Sequence, residues 1–202
     1  MIITAAHINA MKKLPKVQLA TSLPGAKPIC LVGTKSIAGI TNLAPFSSIT
    51  HLGSSPILIG MVTRPDTVDR NTLKNIVDTE SWTLNHVHAE ILEQAHQCSA
   101  RYPAEISEFS AVGMDEHFHP NISAPFVKES RIRYALNLED IVDIKTNNTK
   151  LIIGRVQLIE MPDEALHSDG SINLIEAASL ASTALDTYFS LSKVAQFSYA
   201  KP

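Results

Sequence analysis

The stretch Gly39-Ile-Thr-Asn-Leu-Ala-Pro-Phe-Ser-Ser48 is the most informative part of this 202-residue chain. It concentrates glycine, proline and small hydroxyl residues between two apolar runs, 28–34 and 57–63, that are typical of buried strands. A loop of this composition lets backbone amides approach a ligand closely. Taken alone, the same residues also fit a plain β-turn.

A second candidate segment, Arg64-Pro-Asp-Thr-Val-Asp-Arg-Asn-Thr-Leu-Lys-Asn75, ends a strand and opens a helix, as the apolar spacing from Leu73 onward indicates. The N-terminus of a helix offers unpaired N–H groups and a partial positive charge, which suit a phosphate. Arg64 or Arg70 can add a bidentate contact, and the Thr72 hydroxyl a further donor. A capped surface helix with solvated arginines is the alternative. Placed one strand apart, the two segments together favour a phosphate-containing ligand.

The order of elements predicts a mainly β fold with appended helices. Apolar residues alternate over 132–138, a second long strand follows at 151–161, and Asn147 and Asn148 form a turn between them. Helices are predicted near 71–77, 91–98 and 173–185, a long excursion at 99–129, and an N-terminal arm at 1–20. These elements do not alternate as β-α-β units, so we expect one domain over 1–202, built as an antiparallel barrel with appended helices.

Composition and charge exclude several classes of protein. A net charge of −3 provides no basic field for nucleic acid, and no apolar run is long enough to span a membrane. The first ten residues lack a secretion signal. Cys30 and Cys98 are predicted to be reduced, buried thiols. We therefore expect a cytoplasmic protein.

Familiar catalytic motifs are absent from the sequence. There is no Gly-x-Ser-x-Gly, no Gly-x-Gly-x-x-Gly and no Walker lysine loop. His86 with His88, and His117 with His119, form i, i+2 pairs that could face one side of a strand and bind zinc or iron. No carboxylate or cysteine stands at a recognised metal spacing around them, so we expect no metal site.

The string Asn42-Leu-Ala-Pro-Phe-Ser47 resembles the signature of the flavin-reductase-like family, which has the FMN-binding split-barrel fold. Other family segments follow in order along nearly the whole chain from Pro24. They are PGAKPICLVGT at 24–34, Arg64 with RNTLKNI at 70–76, WTLNHV at 82–87, EFSAVG at 108–113, PFVKES at 125–130, LDTY at 185–188 and YAKP at 199–202. Two positions depart from the family pattern: Asn71 replaces an acidic residue, and Ala184 stands where relatives often have glycine. The resemblance implies an antiparallel split β-barrel.

The resemblance also implies a cofactor site. The loop from Asn42 to Ser47 would hold the isoalloxazine and ribityl chain of FMN, largely through main-chain groups, with Ser47 and Ser48 near the phosphate. The full set of implied cofactor-binding residues is Asn42, Leu43, Ala44, Pro45, Ser47, Ser48, Arg64, Arg70, Asn71, Thr72, Asn75 and Asn85. No catalytic side chain is implied, because the flavin supplies the redox chemistry.

The resemblance implies that the protein is an NAD(P)H-dependent flavin reductase, which passes a hydride from the nicotinamide to flavin N5. The reduced flavin either stays bound or is handed to a partner oxygenase. Relatives are usually homodimers, and we expect the 99–129 excursion and the C-terminal segment to form the dimer contact. The alternative is a flavin-binding carrier or sensor without reductase activity. A metal-dependent hydrolase that uses the histidine pairs is a remoter alternative.

Overall fold

The computed structural model of the protein describes residues 1–65, 71–184 and 186–201. Among these residues the helices are α1 (Ala5–Ala10), α2 (Lys13–Ser22), α3 (Asn71–Thr79), α4 (Leu92–Gln97) and α5 (Glu108–Val112), with 3-10 turns at Ala89–Ile91 and Asp163–Ala165. The strands are β1 (Lys27–Pro28), β2 (Cys30–Lys35), β3 (Thr41–Phe46), β4 (Ile49–Ser54), β5 (Ile57–Thr63), β6 (Ser81–His86), β7 (Glu116–His117), β8 (Phe126–Val127), β9 (Arg133–Ile144), β10 (Thr149–Glu160), β11 (Leu180–Thr183) and β12 (Thr187–Ser190).

Seven of these strands form one antiparallel sheet in the order β3-β2-β6-β9-β10-β5-β4. The predicted late hairpin is confirmed as β9 and β10, and both strands are longer than the sequence pattern indicated. Asn148 lies in the turn between them with a φ of 58°, a left-handed conformation that asparagine tolerates. The smaller sheets are β1-β11-β12 and β7-β8.

Strand β2 is buried on both faces, and its alternating side chains separate two parts of the core. Leu31 packs in the cluster that contains Phe109 of α5, on the face that α4 and α5 cover. Val32 packs on the opposite face, in a cluster with Ile76 of α3 and Ile152 of β10. Because β6 and β9 lie between β2 and β10, this contact requires the sheet to curl around its own core.

From the sequence we expect an antiparallel split β-barrel, and among the described residues the curled sheet does not close into a barrel. Strands β3 and β4 are the two edges of the seven-stranded sheet. The outer edge of β3 is blocked, because the Leu43 amide donates to the Glu108 side chain at 2.9 Å and Pro45 has no N–H to donate. At these two positions β3 offers no free amide to a further strand, and β3 and β4 are the two edges of the open sheet.

The region 173–185 corrects another prediction, because it contains no helix in its described part. Turns lead into strand β11, and Leu185 lies outside the described residues. Ala178 has a φ of 51°, which a right-handed helix excludes, and the Leu180 amide bonds to the carbonyl of Val87. Pairing of β11 with β1 therefore overrides the helix propensity of the alanines and leucines.

The two ends of the chain pack little against the rest of the protein. The predicted N-terminal arm consists of α1 and α2, neither of which contains a buried residue. A 3.0 Å hydrogen bond from Gln18 to Asp186 connects α2 to the turn before β12. Residues 191–201 are exposed and have no regular secondary structure. Within the described ranges, no helix has the length and apolar character needed to cross a membrane.

Candidate functional site

The segment that the sequence singled out forms strand β3 and the residues just after it. Asn42 and Leu43 are buried, whereas residues 44–48 are half-buried. The register pairs Asn42 with Thr34 and Ala44 with Val32 of β2. The chain therefore passes from the core to the surface along this segment, so that its backbone from Ala44 onward is within reach of a ligand.

Helix α3 lies beside β3, which brings the two predicted segments together. The side-chain amide of Asn42 donates to the Thr72 hydroxyl oxygen at 3.1 Å, and the Asn75 amide donates to the Thr34 hydroxyl oxygen at 3.1 Å. These four side chains are all buried. Two buried side-chain bonds thus fix the first turns of α3 against the two strands, with Asn71 as the first helical residue.

A cationic and a hydroxyl side chain lie near the carboxyl end of β5. Arg64 is exposed directly after β5. The Ser48 hydroxyl donates to the carbonyl of Val62 at 2.7 Å, which places Ser48 next to the same strand end. Ser47 is half-buried. Arg70, predicted as a second cation of the site, lies outside the described residues.

Asn85, another predicted cofactor ligand, lies fully inside the protein. Its amide donates to the Leu31 carbonyl at 3.0 Å and to the Thr83 hydroxyl at 2.9 Å, and its oxygen accepts from the Val127 amide at 2.9 Å. The side chain therefore joins β6 to β2 and β8. Its bonding capacity is directed to protein groups, which favours a structural role for this asparagine.

Sequence reasoning missed a cluster of polar groups on the outer edge of β3. The Thr41 hydroxyl lies 2.7 Å from the Ser107 hydroxyl and also bonds to the carboxylate of Glu116. Further along β3, the backbone amide of Leu43 donates a hydrogen bond to the buried Glu108 carboxylate. The two ends of that bond are 65 positions apart in the chain, so no local pattern could have revealed it. The only signal was the placement of Glu108 in a family-like segment.

Burial governs the protonation of the titratable groups inside the protein. It raises the pKa of the Glu108 carboxyl, against the opposing effect of hydrogen bonds from the backbone amides of Leu43 and of Glu108 itself. It raises the pKa of the Cys30 thiol to about 12, and burial together with the charge of Glu108 raises that of Cys98 to about 12. Both cysteines are free and buried, as predicted. Such thiols stay protonated and unreactive.

The histidine pairs bond to different protein groups. His86 lies 2.8 Å from the Ser179 hydroxyl, and His88 3.0 Å from the carbonyl of Glu129. His117 lies 3.4 Å from Glu160. In the part of the chain that the structure describes, no group of three or more histidine, cysteine or acidic side chains is arranged to hold a metal ion.

Comparisons with known proteins match both the sequence and the fold. A family model described as flavin reductase like domain matches residues 25–175. An uncharacterized protein of Halalkalibacterium halodurans is 33% identical over 153 residues, which are 73% of this chain and 73% of that protein.

Two solved structures have closely similar folds. A split-barrel protein from Shewanella frigidimarina NCIMB 400, whose own assignment as a flavin reductase is provisional, has a TM-score of 0.95 and 40% identity over 99% of this chain and 100% of that one. Nitrilotriacetate monooxygenase component B from Bacillus cereus has a TM-score of 0.85 at 20% identity over 98% of both chains, a likeness of fold alone. The curled, open antiparallel sheet is thus similar to a split barrel.

Proposed function

Because the chain belongs to the flavin reductase like domain family, we propose that it is an FMN-binding oxidoreductase that uses NADH or NADPH to reduce flavin. Family membership supports a flavin as the cofactor class and an oxidoreductase as the enzyme class. The observation that carries the proposal for this chain is the pair of buried bonds that hold the start of α3 against β2 and β3. They assemble a helix N-terminus and a ligand-accessible strand end into one site.

The donors at this site fit the phosphate of FMN. The first turn of a helix has amides without intrahelical partners and the positive end of the helix dipole, and Arg64 is an exposed cation earlier in the chain than α3. Among the described residues the Thr72 hydroxyl accepts a bond from Asn42 and donates none, so its proton is available to an anion. We assign the phosphate to Arg64, Arg70, Asn71 and Thr72, with Ser47 and Ser48 bordering it.

The remaining predicted residues have two different roles in this proposal. Main-chain groups of the half-buried Ala44 and Pro45 line the ring and ribityl chain, where Pro45 leaves an edge without an N–H. The buried Asn42 and Leu43 support this part of the strand from within. Asn75 and Asn85 hold the site from within, because their amides bond to protein groups. A flavin between these groups supplies a ring that can take up a hydride from a nicotinamide.

The chain's own contribution to the reaction is binding and orientation. The backbone of β3 fixes the flavin plane, and the start of α3 fixes the phosphate end. The thiols of Cys30 and Cys98 are held protonated by burial and take no part. We assign no side chain as a general acid or base, because hydride transfer between two cofactors requires none from the protein.

We further propose that a second copy of the chain covers its exposed apolar ends. On α2, Leu14 is 70% exposed, and in the C-terminal segment Val194, Phe197 and Tyr199 are 96%, 88% and 89% exposed. Apolar side chains that together form a large exposed patch commonly mark an interface between proteins. A homodimer with a mass of twice 22.0 kDa by light scattering is expected; a monomer of 22.0 kDa at micromolar concentration would contradict it.

The experiment that tests the activity is the visible spectrum of FMN-loaded protein before and after anaerobic NADH, and then NADPH. Bleaching of the flavin band with either donor is expected, and it identifies the donor. A band that persists with both donors would leave the alternative, a flavin-binding carrier or sensor. Transfer of the reduced flavin to an oxygenase is a further step of the proposal, which the fold shared with a monooxygenase component B supports only by analogy.

A further inference from the structure

Three consecutive residues of β3 are each held by a different element. Thr41 bonds to Ser107, which directly precedes α5, and to Glu116, which begins β7. Asn42 bonds to Thr72 of α3, and the backbone amide of Leu43 bonds to the side chain of Glu108. These bonds stand immediately before the half-buried residues 44–48. The strand is therefore held most firmly where it leaves the core for the candidate site.

Glu108 is an unusual residue to find in such a place. Its side chain is only 8% exposed, and it lies next to Phe109, which packs into the core with Leu43. A buried carboxylate loses its hydration, which costs free energy of folding unless backbone donors replace the water. Here the Leu43 amide, at 2.9 Å, is such a donor.

A carboxylate suits this position better than a carboxamide. Both oxygens of a carboxylate accept hydrogen bonds, whereas a glutamine has one acceptor and one NH₂ donor. Either oxygen of the carboxylate can accept the Leu43 N–H, whereas a glutamine can accept it only in the one orientation that turns its oxygen toward that amide. A charged carboxylate at residue 108 therefore accepts the outward-facing Leu43 amide of β3 more strongly than a neutral carboxamide would.

We propose that Glu108 is a positioning residue, which holds β3 through the Leu43 amide so that residues 44–48 keep the conformation that binds the flavin. The inference rests on the proposed function. It extends the site to α5 in the 99–129 excursion, a part of the chain to which the sequence assigned a dimer contact only.

The test compares Glu108→Gln with the wild type and with Glu105→Gln, which removes an exposed carboxylate three residues earlier. Glu108→Asp serves as a second variant, because it keeps both acceptors and shortens their reach. The first measurement is hydrogen exchange of the Leu43 amide in the flavin-free protein. The second is the dissociation constant of FMN, with the visible circular dichroism of the bound flavin as a reading of its geometry.

We expect Leu43 exchange to accelerate at least about tenfold in both Glu108 variants, since a charge-assisted bond is lost. The FMN dissociation constant should rise by about tenfold, with a changed circular dichroism band, because the loop is no longer preorganised. Glu105→Gln should leave all three measurements unchanged. Exchange of β6 amides at the wild-type rate shows that the variants are folded.

Two results would overturn the inference. Faster Leu43 exchange with unchanged FMN affinity and dichroism would make Glu108 a purely structural residue, and unchanged exchange would mean that the bond does not hold the strand. Wild-type protein that takes up no FMN would instead refute the proposed function and the positioning role with it. In that case the exchange measurement alone would still show whether Glu108 holds β3.

Discussion

The side-chain amide of Asn42 donates a 3.1 Å hydrogen bond to the hydroxyl oxygen of Thr72, and both side chains are buried. The two residues belong to the two segments that the sequence singled out, one in β3 and the other in the first turn of α3. Their bond joins the strand end to the first turn of the helix, the two parts of the flavin site that we propose. Changes at this site should alter flavin binding, whereas changes elsewhere in the core should alter stability alone.

Replacing Thr72 with valine is expected to weaken FMN binding about tenfold, because it leaves the buried Asn42 amide unpaired and removes a hydroxyl donor. Isothermal titration of the flavin-free protein measures the effect. Thr79→Val is the matched control, since that hydroxyl bonds to the Asn75 carbonyl near the other end of the same helix. Equal FMN affinities for the two variants would show that Thr72 lies outside the site.

Replacing Arg64 with glutamine is expected to lower FMN affinity about tenfold at low salt and to have less effect at high salt, because an exposed cation is screened. Riboflavin, which lacks the phosphate, should bind the variant and the wild type equally. Arg155→Gln on β10, which loses an ion pair to Glu139 of β9, is the control. An equal loss of affinity for FMN and riboflavin would show that Arg64 does not bind the phosphate.

Gly154 of β10 lies against the indole ring of Trp82, where an added Cβ would be 2.4 Å from two ring carbons. Gly154→Ala should therefore lower the free energy of unfolding by about 1–3 kcal/mol through overpacking. Trp82 is the only tryptophan in the chain, so its fluorescence in urea follows the transition directly. Gly53→Ala, whose Cβ would meet its nearest atom at an ordinary 3.6 Å, should change stability little. Equal stabilities of the two variants would contradict this packing.

His86 gives stability a definite dependence on pH. Burial lowers the pKa of its imidazole from 6.5 to about 4. Between these two pH values the imidazole is protonated in the unfolded chain and neutral in the folded protein. The contribution of neutral His86 is complete above pH 6.5 and falls as the pH drops toward 4. Between pH 6.5 and 5 the loss is at most about 2 kcal/mol.

Urea unfolding of wild type and His86→Gln at several pH values measures this contribution. The variant should lose less stability than the wild type on acidification, even if its stability at pH 7.5 is lower because the bond to Ser179 has changed. His51→Gln, at an exposed position, should keep the wild-type pH dependence. Parallel pH profiles for wild type and His86→Gln would refute the assignment.

The sequence predicted those parts of the fold whose causes are local. The alternating apolar residues of β9, the turn at Asn148 and the helix that begins at Asn71 each depend on neighbouring residues, and each is present. The prediction of a helix at 173–185 was wrong, because the pairing of β11 with β1 is a long-range contact that helix propensity does not include.

The residues of the candidate site, like the elements of the fold, could be predicted from the sequence only in part. Composition and family-like segments indicated the residues around Asn42 and Thr72, and the fold places them together. The sequence could not distinguish Asn85, whose amide is occupied inside the protein, from a ligand-facing asparagine. It gave no role to Glu108, because the Leu43 amide to which it bonds is distant in the chain. Side-chain direction and burial are properties of the assembled fold.

The most direct test of the central claim is the affinity of the flavin-free wild-type protein for FMN compared with riboflavin, measured by quenching of flavin fluorescence. The two ligands differ only in the phosphate that we assign to Arg64 and the start of α3. The account predicts binding of FMN at least about a hundredfold tighter than that of riboflavin, since several charge-assisted bonds are made only by the phosphate. Equal affinities, or no binding of either flavin, would contradict it.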